Sequence, residues 1–276
     1  MTLSIPDPAL VAYEALAPFY DTYTGGYDHE RWLSNLEALA MDHGLRGQRL
    51  LDVGCGTGKS FLPMLRRGYE IVACDISPAM VERAQAVAGD AAQVLVADAR
   101  ELPVLGRFDL ATALDDAFNY LLSEQELGDA FRGVARNLRP GGLLVFDLNT
   151  LATYRGFFAQ DAAMDADGAF MCWRGEGDPD AGPGCLSTST VEVFASDDGE
   201  CWTRTRSHHV QRHHPSDVVE RLLADAGMQL VDRRGQLTGA ALEPGGDEEE
   251  HAKLIYVARR RTTSDFPVGP EGVSTE

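Results

Sequence analysis

The stretch RLLDVGCGTGKS at 49–60 sets the narrowest limit on the fold: an apolar, strand-like run carrying an acid leads directly into glycines at 54, 56 and 58. Glycine loses more backbone freedom on folding than any other residue, so three in five positions demand either tight turning or close approach of a ligand to the main chain. Short β-rich runs continue the pattern: RLLDV (49–53), YEIVACD (69–75), QVLVAD (93–98), FDLATAL (108–114) and GLLVFDLN (142–149). Helical patterns alternate with them, and this rhythm predicts a parallel sheet covered on both faces. Ser77-Pro78 supplies a helix cap with proline in the first turn. Ser123-Glu124-Gln125-Glu126 reads as a capping box whose helix runs to about Leu138, where Arg139-Pro140-Gly141-Gly142 stops it.

After 150 the rhythm changes. AFMCWRG, LSTSTVEVFAS and CWTRTRSHHVQRH, within 168–212, are strand-like runs without helices between them, joined by a flexible DPDAGPG at 178–184. They predict an antiparallel insertion. A helix at 216–226, a strand at 228–233 and a strand at 253–260 then resume the α/β pattern. The expected organisation is an N-terminal helical segment (1–44), an α/β core (45–150), an antiparallel β insertion (151–214), completion of the core (215–261) and a tail (262–276) with too little apolar surface to order. The N-terminal segment holds Tyr13, Phe19, Tyr20, Tyr23, Tyr27 and Trp32 in one or two helices.

Charge excludes some partners. With 24 Lys and Arg against 43 Asp and Glu, the net charge is -19, a balance that repels phosphate backbones and anionic membranes. GGDEEEH at 245–251 reads as a solvated loop between strands. No apolar run reaches membrane length and the N-terminus lacks a signal-peptide pattern, so a soluble, cytoplasmic protein is expected. Five cysteines without a C-x-x-C pair suggest neither a disulfide framework nor a zinc ribbon, and no metal is expected.

A strand, a glycine loop, a helix and an acid at the tip of the next strand form the nucleoside-binding plan of doubly wound folds. Asp75 is that acid, placed for two ribose hydroxyls. The dinucleotide fingerprint is G-x-G-x-x-G, whereas this loop is G-x-G-x-G, and Gly58-Lys59-Ser60 imitates only the tail of a phosphate-binding loop. The sequence LLDVGCGTGKSFLPMLRRGYEIVACDISPAMVERA, with VADARELPVLGRFDLATALDDAFNYL and LRPGGLLVFDLNT, resembles the class I S-adenosylmethionine-dependent methyltransferases. The resemblance is strongest over 45–150. More loosely, the chain is similar to small-molecule methyltransferases of bacterial metabolism, amino-sugar N-methyltransferases among them, which carry an antiparallel insertion after the fifth strand.

The resemblance implies a seven-stranded doubly wound Rossmann-like sheet with an N-terminal helical lid and that insertion as a canopy. It implies S-adenosyl-L-methionine as cofactor and a small-molecule methyl acceptor. The loop Asp52, Gly54, Cys55, Gly56 and Gly58 would take the methionyl part, with Asp52 near the ammonium. Asp75 would hold the ribose and Ile76 the adenine, Asp98 and Ala99 would bond the adenine edge, Leu114 and Asp115 would flank the methyl donor, and Tyr20 would close over the cofactor. Turn-forming or helix-capping roles for the carboxylates are the duller alternative.

Methyl transfer from a sulfonium is an in-line displacement that needs positioning more than acid or base, although a hydroxyl acceptor calls for a base more than an amine does. Candidates on the acceptor side are Asp115, Asp116, Asn119 and Tyr120 in LDDAFNYL, and one face of SHHVQRHH (207–214), with His208 its catalytic candidate as a base or an anion clamp. An N or an O nucleophile is equally compatible with these residues. The rival functions are a non-methylating cofactor-binding protein, an enzyme that cyclises the cofactor, and an NAD-dependent oxidoreductase, the last disfavoured by the glycine spacing.

Overall fold

The computed structural model describes residues 6–262 except 167 and 197; of the tail, only Thr262 lies among them. The chain opens with helices α1 (Pro8–Leu16), α2 (Tyr20–Tyr23) and α3 (His29–Asp42). The α/β rhythm follows: β1 (Arg49–Val53), α4 (Leu62–Arg66), β2 (Glu70–Asp75), α5 (Pro78–Ala88), β3 (Ala92–Val96), β4 (Phe108–Ala113), α6 (Glu124–Asn137) and β5 (Leu138–Asn149). Ser77 caps α5 and the Ser123/Glu126 box caps α6. β5 begins earlier than expected, because Leu138 already pairs with Phe108 of β4, and pairing resumes at Leu143 with Leu110 across the bulge that Arg139–Gly142 forms. After α7 (Leu151–Arg155) come β6 (Asp161–Ala166), β7 (Ala169–Gly175), β8 (Leu186–Ala195) and β9 (Thr203–Arg212), then α8 (Ser216–Asp225), β10 (Met228–Gln236), β11 (Leu242–Pro244) and β12 (Lys253–Arg260).

The main sheet has strand order β11-β10-β12-β5-β4-β1-β2-β3, and β6 to β9 form a second, antiparallel sheet. The main sheet therefore has eight strands where seven were expected. The extra one is three residues long, ends in proline, and pairs with the outer edge of β10, too short to leave a period-2 signal. β6 was also missed: its run DAAMDA is weakly apolar and is recruited only by pairing with β7.

Two apolar layers sandwich the main sheet. On one face Leu127, Phe131 and Val134 of α6 and Leu223 of α8 pack against Phe146 and Tyr256, whose rings stack at 5.0 Å. On the other, Trp32 and Leu36 of α3 and Ala84 of α5 cover Leu50, Ile71 and Val145. Burial of this kind is the main driving force for the fold.

Because β12 runs antiparallel to β5 and β10 antiparallel to β12, the end of β10 and the start of β12 lie at the same edge as the carboxyl ends of β1 to β5. Ligands of open α/β sheets bind at that edge. The second sheet stands beside it, with α1 packed along β9. The acidic run at 245–251 is only partly a solvated loop. Glu248 accepts hydrogen bonds from the Ser216 amide and hydroxyl and pairs with His213 at 3.1 Å, while His251 is buried. DPDAGPG is likewise tied down, by Arg155 Nε donating to the Ala181 carbonyl at 2.7 Å.

Candidate active site

A cavity of about 740 Å³, counting its open mouth, lies over the carboxyl ends of β1 to β4. Its floor is main chain at Val53, Gly54 and Gly56; its walls are Asp75 and Ile76 after β2, Asp98 to Arg100 after β3, and Asp115, Ala117, Phe118 and Tyr120 after β4. Asp7, Tyr13 and Tyr20 roof it. Glycine is required at 54, where φ is +74° and a Cβ would meet the Cβ of Ala117 at 2.8 Å. Gly56, at φ +53°, lies below the Tyr20 ring.

Asp75 shapes this floor as well as facing it. One carboxylate oxygen accepts the Gly56 amide at 2.9 Å and the other the Ser77 amide at 2.9 Å. Burial raises the Asp75 pKa, and those amides work against the shift. Asp98 also lines the cavity, but Arg100 Nε reaches both its oxygens, at 2.9 and 3.0 Å. Although burial opposes ionisation, Arg100 holds the Asp98 carboxyl below its usual range. The same guanidinium reaches Asp7 at the start of α1, 2.7 Å away, so the wall after β3 and the roof share one cation.

Several expected contacts lie one layer deeper. Asp52 is fully buried and does not line the cavity; it accepts hydrogen bonds from Ser60 and, at 2.6 Å, from Thr112. Burial pushes its pKa up to about 6 against those two donors. Cys55 and Leu114 belong to the apolar layer beneath the loop, and Gly58 turns the chain against Phe61. Ala99 lines the wall. Lys59 donates to the Asp21 carbonyl and to Thr24, both at 2.9 Å, and Thr57 donates to Asp21 at 2.6 Å, so this part of the glycine loop anchors α2.

The acceptor-side candidates divide as well. Asp115 and Asp116 are both left-handed, with φ +56° and +55°, a conformation that Asp tolerates better than most residues. Their amides donate to the two oxygens of Asp147, at 2.7 and 3.0 Å. Lys253 Nζ lies 2.7 Å from both Asp116 and Asp147, and Gln211 donates to Asp116 at 2.6 Å. Burial alone would depress Lys253, but Asp116, Asp147 and Asp115 outweigh it and raise its pKa. Asn119 is buried away from the cavity, bridging the Asn149 amide and the Arg212 carbonyl. His208 is exposed on β9. Its neighbour His209 points inward, bonded to the Tyr120 hydroxyl and to Ser207 at 2.9 Å each. Burial, followed by His208, lowers the His209 pKa to about 4.

Sequence reasoning passed over His29, Lys253 and Asp147. His29 Nε2 lies 3.4 Å from Asp115 Oδ2, and its ring meets that of Tyr27 edge-on at 4.9 Å. Tyr27 in turn lines a second, open concavity of about 1340 Å³ with Asp28, Arg31, Gln236, Glu243 and Glu250. No sequence signal joins these residues, which the fold brings together from four separate segments.

Residues 50–142 match a family model described as "Methyltransferase domain". A Bacillus subtilis (strain 168) protein provisionally named methyltransferase YqeM is 28% identical over 255 residues, covering 91% of this chain and 98% of the relative. Among solved structures, a S-adenosylmethionine-dependent methyltransferase from Clostridium acetobutylicum ATCC 824 shares the fold with TM-score 0.77 at 22% identity, over 91% of this chain and 99% of that one. The sugar N-methyltransferase KedS8 from Streptoalloteichus sp ATCC 53650 does so with TM-score 0.70 at 22% identity, over 88% and 93%. Domain match and fold agree: residues 50–142 carry a methyltransferase domain, and the chain has the fold of S-adenosylmethionine-dependent methyltransferases.

Proposed function

We propose that the protein transfers a methyl group from S-adenosylmethionine to a nitrogen of a small polar amine, with the cofactor in the cavity over β1 to β4 and the acceptor beside Asp115. When bound, S-adenosylmethionine supplies a sulfonium-activated methyl group. The chain's part is to hold both molecules. Gly54 and Gly56 let the backbone close on the methionyl portion, Asp75 accepts from the ribose, Ile76 and Ala99 flank the adenine, and Asp98 takes its amino group beside Arg100. Tyr20 and Tyr13 on the N-terminal helices act as a lid that excludes water, and the β6–β9 sheet forms a canopy on the acceptor side.

The observation that carries the choice of nitrogen is the charge at this edge. Asp115, Asp116 and Asp147 crowd around one lysine, with Asp75 across the cavity, among the rings of Tyr13, Tyr20 and Tyr120. Carboxylates and tyrosine faces attract cations, and both the donor and a protonated amine are cationic. The sugar N-methyltransferase and an amino pentose methyltransferase among the structural neighbours support that reading. Asp52, Cys55, Leu114 and Asn119 support the site from below, and His208 has no part in it.

The test is formation of S-adenosylhomocysteine with 2-aminoethanol, glucosamine and their N-methyl derivatives, with glycerol and glucose as hydroxyl controls. Turnover with amines alone is the expected result; turnover confined to hydroxyl compounds overturns the choice of nitrogen. Release of methylthioadenosine without an acceptor would instead identify a cofactor-cyclising enzyme.

A further inference from the structure

The ring of His29 stands between the two cavities. Its Nε2 faces Asp115 of the first cavity at 3.4 Å, and its ring packs on Tyr27, which lines the second. Its Nδ1 lies 3.1 Å from the Tyr27 carbonyl. A carbonyl only accepts, so Nδ1 carries the hydrogen, and the neutral ring turns the Nε2 lone pair toward Asp115, which lines the first cavity. His29 and Asp115 retain 12% and 31% side-chain exposure, so neither is sealed from an incoming ligand.

The other groups near this point are committed elsewhere. Asp116 is held by Lys253 and Gln211. Asp147 is fully buried against Lys253 and two amides. Both nitrogens of His209 are occupied, by Tyr120 and Ser207. Burial raises the Tyr13 and Tyr20 hydroxyls well above their ordinary range. His29 itself meets Asp115 and Tyr27; Asp115 in turn faces Lys253 and Lys59, and Tyr27 faces Asp115, Asp147 and Lys253.

From this geometry we infer that His29 is the catalytic proton acceptor for the amine substrate, with Asp115 orienting the ammonium beside it. The inference rests on the amine reading above. The acceptor enters as R–NH3⁺, attracted by Asp115, and gives one proton to His29 Nε2; the N–H electron pair stays on nitrogen as its lone pair. Nitrogen then forms the N–CH3 bond as the C–S bond breaks, the C–S electron pair remaining on sulfur. The secondary ammonium leaves with S-adenosylhomocysteine, and His29 returns its proton to water. An amine must lose that proton before it can attack, and a positioned acceptor of this kind contributes about 10²–10⁴ in rate.

The experiment compares His29→Gln and His29→Ala with the parent, using whichever panel amine turns over fastest. Expected at pH 7 is a roughly 100-fold fall in kcat/KM, with S-adenosylhomocysteine affinity by calorimetry within twofold of the parent. Free imidazole should restore turnover in His29→Ala, and the deficit should shrink at pH 9.5, where more of the free amine is already neutral. A deficit equal at both pH values and unmoved by imidazole, or no deficit, overturns the assignment. Independently of any acceptor, ¹⁵N spectra of the full chain with S-adenosylhomocysteine should show neutral His29 as the Nδ1–H tautomer; the Nε2–H tautomer overturns it. If the parent binds no S-adenosylhomocysteine or methylates no amine, the functional reading fails first; if the parent is active and the variants match it, only His29's role fails.

Discussion

The two halves of the sheet edge are built differently. Over β1 to β4, the floor is main chain from one continuous loop, and each wall residue named above follows its strand within seven positions. Over β4, β5 and β12, the working surface is side chains from distant segments, namely His29, Asp115, Asp147, Gln211 and Lys253, joined by hydrogen bonds and ion pairs across up to 137 positions. A site of backbone and short-range acids tolerates change around it. A site of interlocked charges depends on every partner, and breaking one should cost far more.

Lys253 tests this most severely. Lys253→Met leaves Asp147 buried without its cation and Asp116 with only Gln211. Removing one partner from a buried pair costs about 3–5 kcal/mol, the largest effect expected here. Chemical denaturation measures it, and Asp116→Asn in the Lys253→Met background should recover part of the loss. If Lys253→Met is as stable as the parent, the network does not hold this edge together.

On the cofactor side the corresponding change is Asp75→Ala. It frees the Gly56 and Ser77 amides and would remove the charge-assisted hydrogen bonds proposed for the ribose. Weakening of S-adenosylhomocysteine binding by about 1.5–3 kcal/mol is expected by calorimetry, with little change in fold. Unaltered affinity would move the ribose away from Asp75.

The same contrast explains what could be read from the sequence. The individual strands β1 to β5, the Ser77 and Ser123 caps, the glycine loop and Asp75 are each encoded within a dozen adjacent residues, so local pattern reveals them. Depth is not encoded that way. Asp52 sits on a strand whose neighbours are buried on both sides, and nothing in LLDVG tells whether its carboxylate faces the cavity or Thr112. Strand parity did limit SHHVQRHH to two faces, but the choice between His208 and His209 depends on α1 packing along β9. His29 and Lys253 carry no motif at all; they become neighbours of Asp115 only when the N-terminal helices and the last strand meet the sheet.

Asp52 yields a smaller effect with a defined pH signature. Its folded pKa is raised from 3.8 to about 6, first by burial, so between those values the folded state holds a proton that the unfolded chain has lost. Stability therefore falls as pH rises through that window, by about 3 kcal/mol for a shift of roughly two units. In urea titrations at pH 4 to 7, Asp52→Asn should lose that part of the decline, narrowing or reversing its deficit to the parent as pH rises. A gap independent of pH would mean that Asp52 is charged throughout.

The least costly change is Arg100→Gln, because Arg100 and its partners Asp7, Asp98 and Glu126 are each between 21% and 32% exposed, where solvent screens ion pairs to about 1 kcal/mol or less. Global stability should hardly move. What should change is the roof, since Arg100 ties the start of α1 to the wall after β3. S-adenosylhomocysteine should dissociate several-fold faster from Arg100→Gln, and the parent's dissociation should approach that rate as salt rises, screened over about 10 Å at 0.1 M. Stopped-flow displacement at two ionic strengths measures both. Equal rates in parent and variant at low salt would show that α1 is held by Glu14, which accepts from the Ser77 hydroxyl at 2.6 Å and the Ala79 amide at 2.9 Å, and that the roof, like the acceptor half, rests on several partners at once.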